Sequence, residues 1–216
     1  MKPFSLMILA LSVPLLLCST ARAEHSGPYI GAFFGGNELL TAKNSDSAGN
    51  SGLVFKPSML GSAVAGWDFE PGNVVGEGRI ELEYAHRSNP LDKVKFSEWN
   101  APAGGHVTAD SLLINFIGIA RDNSRWSPYL GVGVGAARIN VDNLTVSGQP
   151  MGNGTDVVFA YQALTGMDVA VSDHLSLDLG YRFFGTTGAT FTESAGLKSK
   201  MEYLNHSVVL GLRVGF

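Results

Sequence analysis

The chain has 216 residues, of which 45% are hydrophobic and 16% charged, where globular domains usually carry about 25% charged residues. Lys+Arg of 15 against Asp+Glu of 19, net charge −4, leaves no basic surface for a phosphate-bound nucleic acid. A single cysteine excludes a disulfide framework and any multi-thiolate metal site.

In chain order, Met1 to Ala23 reads as a secretory signal. Lys2 provides the positive start, an apolar run follows to Leu17, and Ala21-Arg22-Ala23 is an A-x-A cleavage site. The apolar run is shorter than the ~20 residues a spanning helix needs, and Pro14 interrupts it. Cys18 does not make a convincing lipoprotein box, because Leu17 stands where a small residue is required. The expected division is a signal over 1–23 and an exported barrel domain over 24–216, with Cys18 lost on processing.

The remainder alternates with period two in segments of about ten residues separated by turn chemistry. Tyr29 to Leu39 is rich in glycine and aromatics, and its faces are not assignable. Met59 to Phe69 sets Ala63, Ala65, Trp67 and Phe69 against Ser62, Val64, Gly66 and Asp68. Arg79 to Arg87 sets Ile80, Leu82, Tyr84 and His86 against Arg79, Glu81, Glu83 and Arg87. Ser111 to Ala120 sets Leu112, Ile114 and Phe116 against residues that include Ser111 and Asn115. Tyr129 to Ala137 opposes Leu130, Val132 and Val134 to Tyr129 and three glycines. Phe159 to Val171 opposes Tyr161, Ala163 and Met167 to Gln162, Leu164 and Asp168. Leu175 to Gly185 opposes Leu177, Leu179 and Tyr181 to Asp178, Gly180 and Arg182. Leu204 to Phe216 opposes Val208, Leu210, Leu212 and Val214 to Ser207, Gly211 and Arg213.

Eight such segments predict an all-β, eight-stranded antiparallel up-and-down barrel. A soluble barrel would turn its large apolar face inward, whereas a membrane barrel turns it to lipid and packs small and charged residues inside. Glycines along the small face favour the membrane form, since water has no use for them and a narrow lumen does. The inner face then carries Arg79, Glu81, Glu83, Arg87, Asp168, Asp178, Arg182 and Arg213, which are expected to pair as a structural plug. Connections alternate long and short, as they do when long loops face outside and short turns the periplasm. Aromatics near segment ends, including Trp67, Trp126, Tyr129, Tyr181 and Phe216, fit interfacial girdles.

The runs Ser127 to Ala137, Phe159 to Asp168 and Ser172 to Phe183 resemble those of small bacterial outer-membrane barrels of the opacity type and the OmpA/OmpX-like group. That resemblance implies an outer-membrane location. It also implies contact with lipid and lipopolysaccharide, and reading of Phe216 as a signal by the barrel assembly machinery. The expected role is structural or surface interaction, with a host or surface ligand met through four long loops. A monomer without cofactor, metal or nucleic acid is expected, and no catalysis. The alternatives are a narrow channel or conduit for small hydrophobic compounds, and a soluble periplasmic binding barrel.

Two places in the sequence bear on catalysis. A lipid-A deacylase on such a barrel needs a histidine and a serine on the same lipid-facing side, supported by a carboxylate. His206 and Ser207 are adjacent, so alternation sends them to opposite faces. Glu81 and Glu83 share a face as an acid–base pair would, but arginines on the same inner face make pairing the better expectation. His86, His106 and His174 are scattered and suggest no metal cluster.

Overall fold

The computed structural model describes residues 26–40, 42–46, 49–69, 77–96, 99–121, 124–192 and 198–216, so the expected signal segment and Cys18 lie outside the described residues. In chain order the strands are β1 Gly27–Leu39, β2 Ala42–Asp46, β3 Gly49–Phe55, β4 Ser58–Asp68, β5 Gly78–Lys95 and β6 Asn100–Ile119. They continue with β7 Trp126–Val146, β8 Gln149–Ala170, β9 Leu175–Thr186, β10 Ala189–Thr192, β11 Lys198–Met201 and β12 Leu204–Gly215. Eight of these close a ring, β1-β4-β5-β6-β7-β8-β9-β12, with every neighbouring pair antiparallel and β12 returning to β1. Closure leaves no unpaired edge among the eight, which is what a lipid surroundings demands of a backbone.

All eight alternating segments fall on these ring strands, but four strands are much longer than their segments. β5 runs for 18 residues, β6 for 20, β7 for 21 and β8 for 22. Much of the expected long loops is therefore hairpin rather than loop. The β7–β8 hairpin closes at Ser147-Gly148, where φ is +49° and +79° and Val146 pairs with Gln149. Left-handed conformation at both central residues marks the turn type whose twist matches the flanking strands. β2–β3 and β10–β11 are shorter hairpins at the same end of the barrel, with β3 pairing onto the upper part of β5.

The apolar pattern reverses along a single strand. On β7, Leu130, Val132, Val134 and Ala136 point outward, whereas Ile139 and Val141 point inward and are buried. On β6, Phe116, Ile114 and Leu112 point outward, while Ala109 and Val107 are buried inside. The lower part faces hydrocarbon with its large side chains, and the upper part follows the ordinary rule of apolar side inward. The upper interior is a hydrophobic core that includes Leu39, Phe55, Leu91, Val107, Ile139, Phe184 and Tyr203. This corrects the expectation of a uniformly small and charged interior: above the lipid, water is outside, and burial of apolar area favours turning it in.

Candidate functional site

The lower interior is built by strands that alternate correctly to aim polar side chains inward at neighbouring heights. At the level nearest the short turns, Tyr29 on β1 donates its hydroxyl to Glu81 Oε1 at 2.6 Å, and Tyr129 on β7 donates to Asp178 Oδ1 at 2.7 Å. Arg79 donates to Asp168 Oδ2 at 3.1 Å, and Arg213 pairs with the same oxygen while its Nη2 stands 3.9 Å from Asp178. The Arg79 guanidinium lies 5.4 Å from the Tyr129 ring centre and 6.0 Å from that of Tyr29. Tyr129, placed in the interfacial girdle by its position near a strand end, is thus an interior residue. Strand parity overrides proximity to the membrane edge.

One level up, Glu83 is the hub. It pairs with Arg182, and its Oε2 accepts from Asn115 Nδ2 at 2.8 Å and Gln162 Nε2 at 2.7 Å. Gln162 also donates to Asn115 Oδ1 at 2.7 Å, and Arg182 donates to Ser62 Oγ at 3.2 Å. The Arg182 guanidinium sits 4.4 Å from the Phe33 ring centre. A buried carboxylate needs partners for both oxygens to offset lost hydration, and Glu83, wholly buried, has them.

Above this, Arg87 donates to Ser111 Oγ at 2.9 Å and stacks on Phe184 at 4.0 Å from the ring centre. Among the described residues no carboxylate forms an ion pair with it, so this one of the eight expected residues stands apart from the pairing. Tyr203, between β11 and β12, donates to Asn89 Oδ1 at 2.6 Å, and burial raises its phenol above the ordinary range. Glu81 likewise meets Tyr29 and Asn115, at 3.5 Å, rather than an arginine. Phe216 ends the chain at the opposite end, its ring exposed and its backbone N–H donating to the Pro28 carbonyl at 3.1 Å.

Sequence reasoning found the charged residues and missed what connects them. Asn115, Gln162 and Ser62 stood on the inner faces without a role, and Tyr29 and Phe33 lay in a segment whose faces were unassigned. The signal for the aromatics was available only in pairs. Tyr29 stands across from Gly66 and Tyr129 across from Gly166, each ring lying where the glycine's Cβ would be. Such aromatic–glycine pairs fill a tapering interior, and they require register to be recognised.

The outer wall opposes this interior. Phe34, Leu130 and Leu210 are 60%, 69% and 66% exposed, and Ile30, Leu82, Ile114, Val132 and Leu179 join them in a band around the ring. A closed barrel with a polar, buried interior and a continuous exposed apolar wall is stable only with that wall in lipid.

The chain is a small eight-stranded outer-membrane β-barrel protein.

A family model described as surface antigen matches residues 103–208 of the barrel. Among solved structures, the outer membrane protein OprG from Pseudomonas aeruginosa is similar with TM-score 0.61 at 16% identity, covering 90% of this chain and 99% of that one. Neisserial surface protein A is similar with TM-score 0.54 at 20% identity, covering 88% and 98%. The outer membrane protein AlkL is similar with TM-score 0.50 at 16% identity, covering 92% and 94%. No curated protein matches the sequence. These likenesses establish the fold, and the apolar wall around a closed barrel with a polar interior places it in the outer membrane. The apolar outer wall contradicts the alternative of a soluble periplasmic binding barrel, because it would expose to water the side chains such a barrel buries.

Proposed function

We propose that the barrel is a membrane-anchored display scaffold, whose outer hairpins meet a surface or host ligand and whose interior serves stability. The observation carrying this is the sealed interior. Glu83, Arg87, Asn115, Leu113, Phe184 and Val209 come from four strands at neighbouring heights, and each has no more than a trace of exposure. A water-filled lumen would wet them. The four arginines and four carboxylates of the inner face balance in charge, and act as a plug rather than as acid and base. Phe216 at the end of the last strand serves as the assembly signal, and residues 1–23 as the export signal. The β5–β6 and β7–β8 hairpins project beyond the apolar band and provide the surface, as loops on rigid scaffolds commonly do.

An epitope inserted between Ser147 and Gly148 tests the orientation. Antibody labelling of intact cells is expected, and labelling only after permeabilisation would overturn the reading. Planar-bilayer recordings test the plug: no conductance steps are expected, and reproducible ones would favour the channel alternative.

A further inference from the structure

The criterion that excluded His206 is met elsewhere on the wall. On β5, Arg87 and Asn89 point into the barrel and are fully buried, so His86 and Ser88 point outward on one face. Two residues of extended strand separate them by about 7 Å along the chain. Asp110 is the Cα partner of His86 on β6. His86 Nδ1 lies 2.8 Å from Asp110 Oδ1, and the Tyr84 hydroxyl donates to the same oxygen at 2.8 Å. A carboxylate accepts only, so Nδ1 carries the proton and Nε2 of the neutral ring is left to accept one.

His206 has neither element of this arrangement. It contacts Tyr181 and the Phe183 ring on the outer wall, while Ser207 is buried inside. Of the described histidines, His86 is the one with both a carboxylate behind it and a serine on its own face.

The depth of the site identifies a substrate class. Below it on the same wall run Leu82 and Ile80 on β5, Leu112, Ile114 and Phe116 on β6, and Val134 on β7. Level with it stands Arg138, the Cα partner of Asp110 and exposed on β7. Acyl chains packed along the apolar strip would bring their ester bonds to the height of His86, with a guanidinium placed for a lipid phosphate.

We propose that Ser88, His86 and Asp110 form a hydrolytic site on the outer wall, just above the apolar band, that cleaves an acyl ester of a phosphate-bearing membrane lipid. Ser88 Oγ attacks the ester carbonyl carbon while His86 Nε2 takes its proton. The bond to the alcohol oxygen breaks, and that oxygen leaves with the proton from His86. Water, deprotonated by the same nitrogen, then attacks the acyl-serine, releasing the fatty acid and restoring the Ser88 hydroxyl. Ser88 and His86 are the catalytic residues; Asp110 positions the imidazole, and Tyr84 positions Asp110. This site adds catalysis to the surface role, against the expectation drawn from sequence, and does not depend on any ligand of the hairpins.

The test is release of free fatty acid, followed by mass spectrometry, from vesicles incubated with the intact purified barrel. Lipopolysaccharide vesicles and phosphatidylglycerol vesicles are used in separate arms, and the arm that releases fatty acid identifies the lipid. Ser88→Ala and His86→Ala are each expected to lower the rate at least ~100-fold while both variants keep the folded gel mobility, and His206→Ala to leave the rate unchanged. Asp110→Asn is expected to lower kcat at least ~10-fold with KM unchanged, and Asp110→Glu to recover part of it. No release in either arm, or release by folded Ser88→Ala at the wild-type rate, overturns the proposal.

Discussion

Phe33 lies directly across the β1–β12 seam from Gly211, and its ring fills the space that a Cβ on Gly211 would need. The seam joins the first and last strands, so this contact forms only when the barrel closes. Gly211→Val is expected to lower the urea-unfolding stability of the micelle-bound barrel by about 1–3 kcal/mol, the usual cost of overpacking. Gly36→Ala is the control, because a Cβ at Gly36 meets nothing within 4 Å, and its unfolding midpoint is expected to stay at the wild-type value.

Glu83 and Arg182 are a buried pair, and removing one charge strands the other. Glu83→Ala is expected to cost about 3–5 kcal/mol, whereas replacing both residues by apolar ones of similar size costs less than the single change. Equilibrium unfolding of the two singles and the double, combined as a mutant cycle, measures the coupling. Additive single effects would contradict the pairing.

Arg87 gives the opposite expectation. It has no carboxylate partner among the described residues and stacks on Phe184. Arg87→Met keeps the packing against the ring and removes a buried charge, so it is expected to be neutral or stabilising. Arg182→Met, which leaves Glu83 unpaired, is expected to be strongly destabilising. The ordering of the two unfolding midpoints checks this directly.

The lower half of the barrel was legible in the sequence because hydrocarbon enforces a strict period of two. Leu204 to Phe216 shows it plainly, and inner residues such as Arg213 and Asp178 follow by parity. The upper half was not legible, for a physical reason. On β6, Asp110, Thr108 and His106 face water while Ala109 and Val107 face the core, so the apolar face changes sides and the lipid-facing pattern stops at Leu112. The periodic signal ends there although the hydrogen-bonded ladder runs on to Asn100. The His86–Asp110 contact was hidden similarly, since the residues are 24 apart and only register brings them opposite.

The outer hairpins pack against the barrel's upper core, so their effect should reach inward. Phe55 on β3 belongs to the same buried cluster as Phe184 and Tyr203. Phe55→Ala is expected to lower stability by about 3–5 kcal/mol, as loss of a core aromatic does. Thermal unfolding in micelles followed by circular dichroism checks it, and an unchanged midpoint would show that the hairpin does not contribute to the core.

The barrel is closed, eight-stranded and embedded in the outer membrane. Its most direct test is the gel mobility of the detergent-extracted outer-membrane fraction with and without boiling. Closure of β12 onto β1 predicts a compact, faster-migrating band that shifts to the unfolded position only after heating. A single band at the unfolded position in both samples, with the protein recovered in the soluble fraction after osmotic shock, would contradict it.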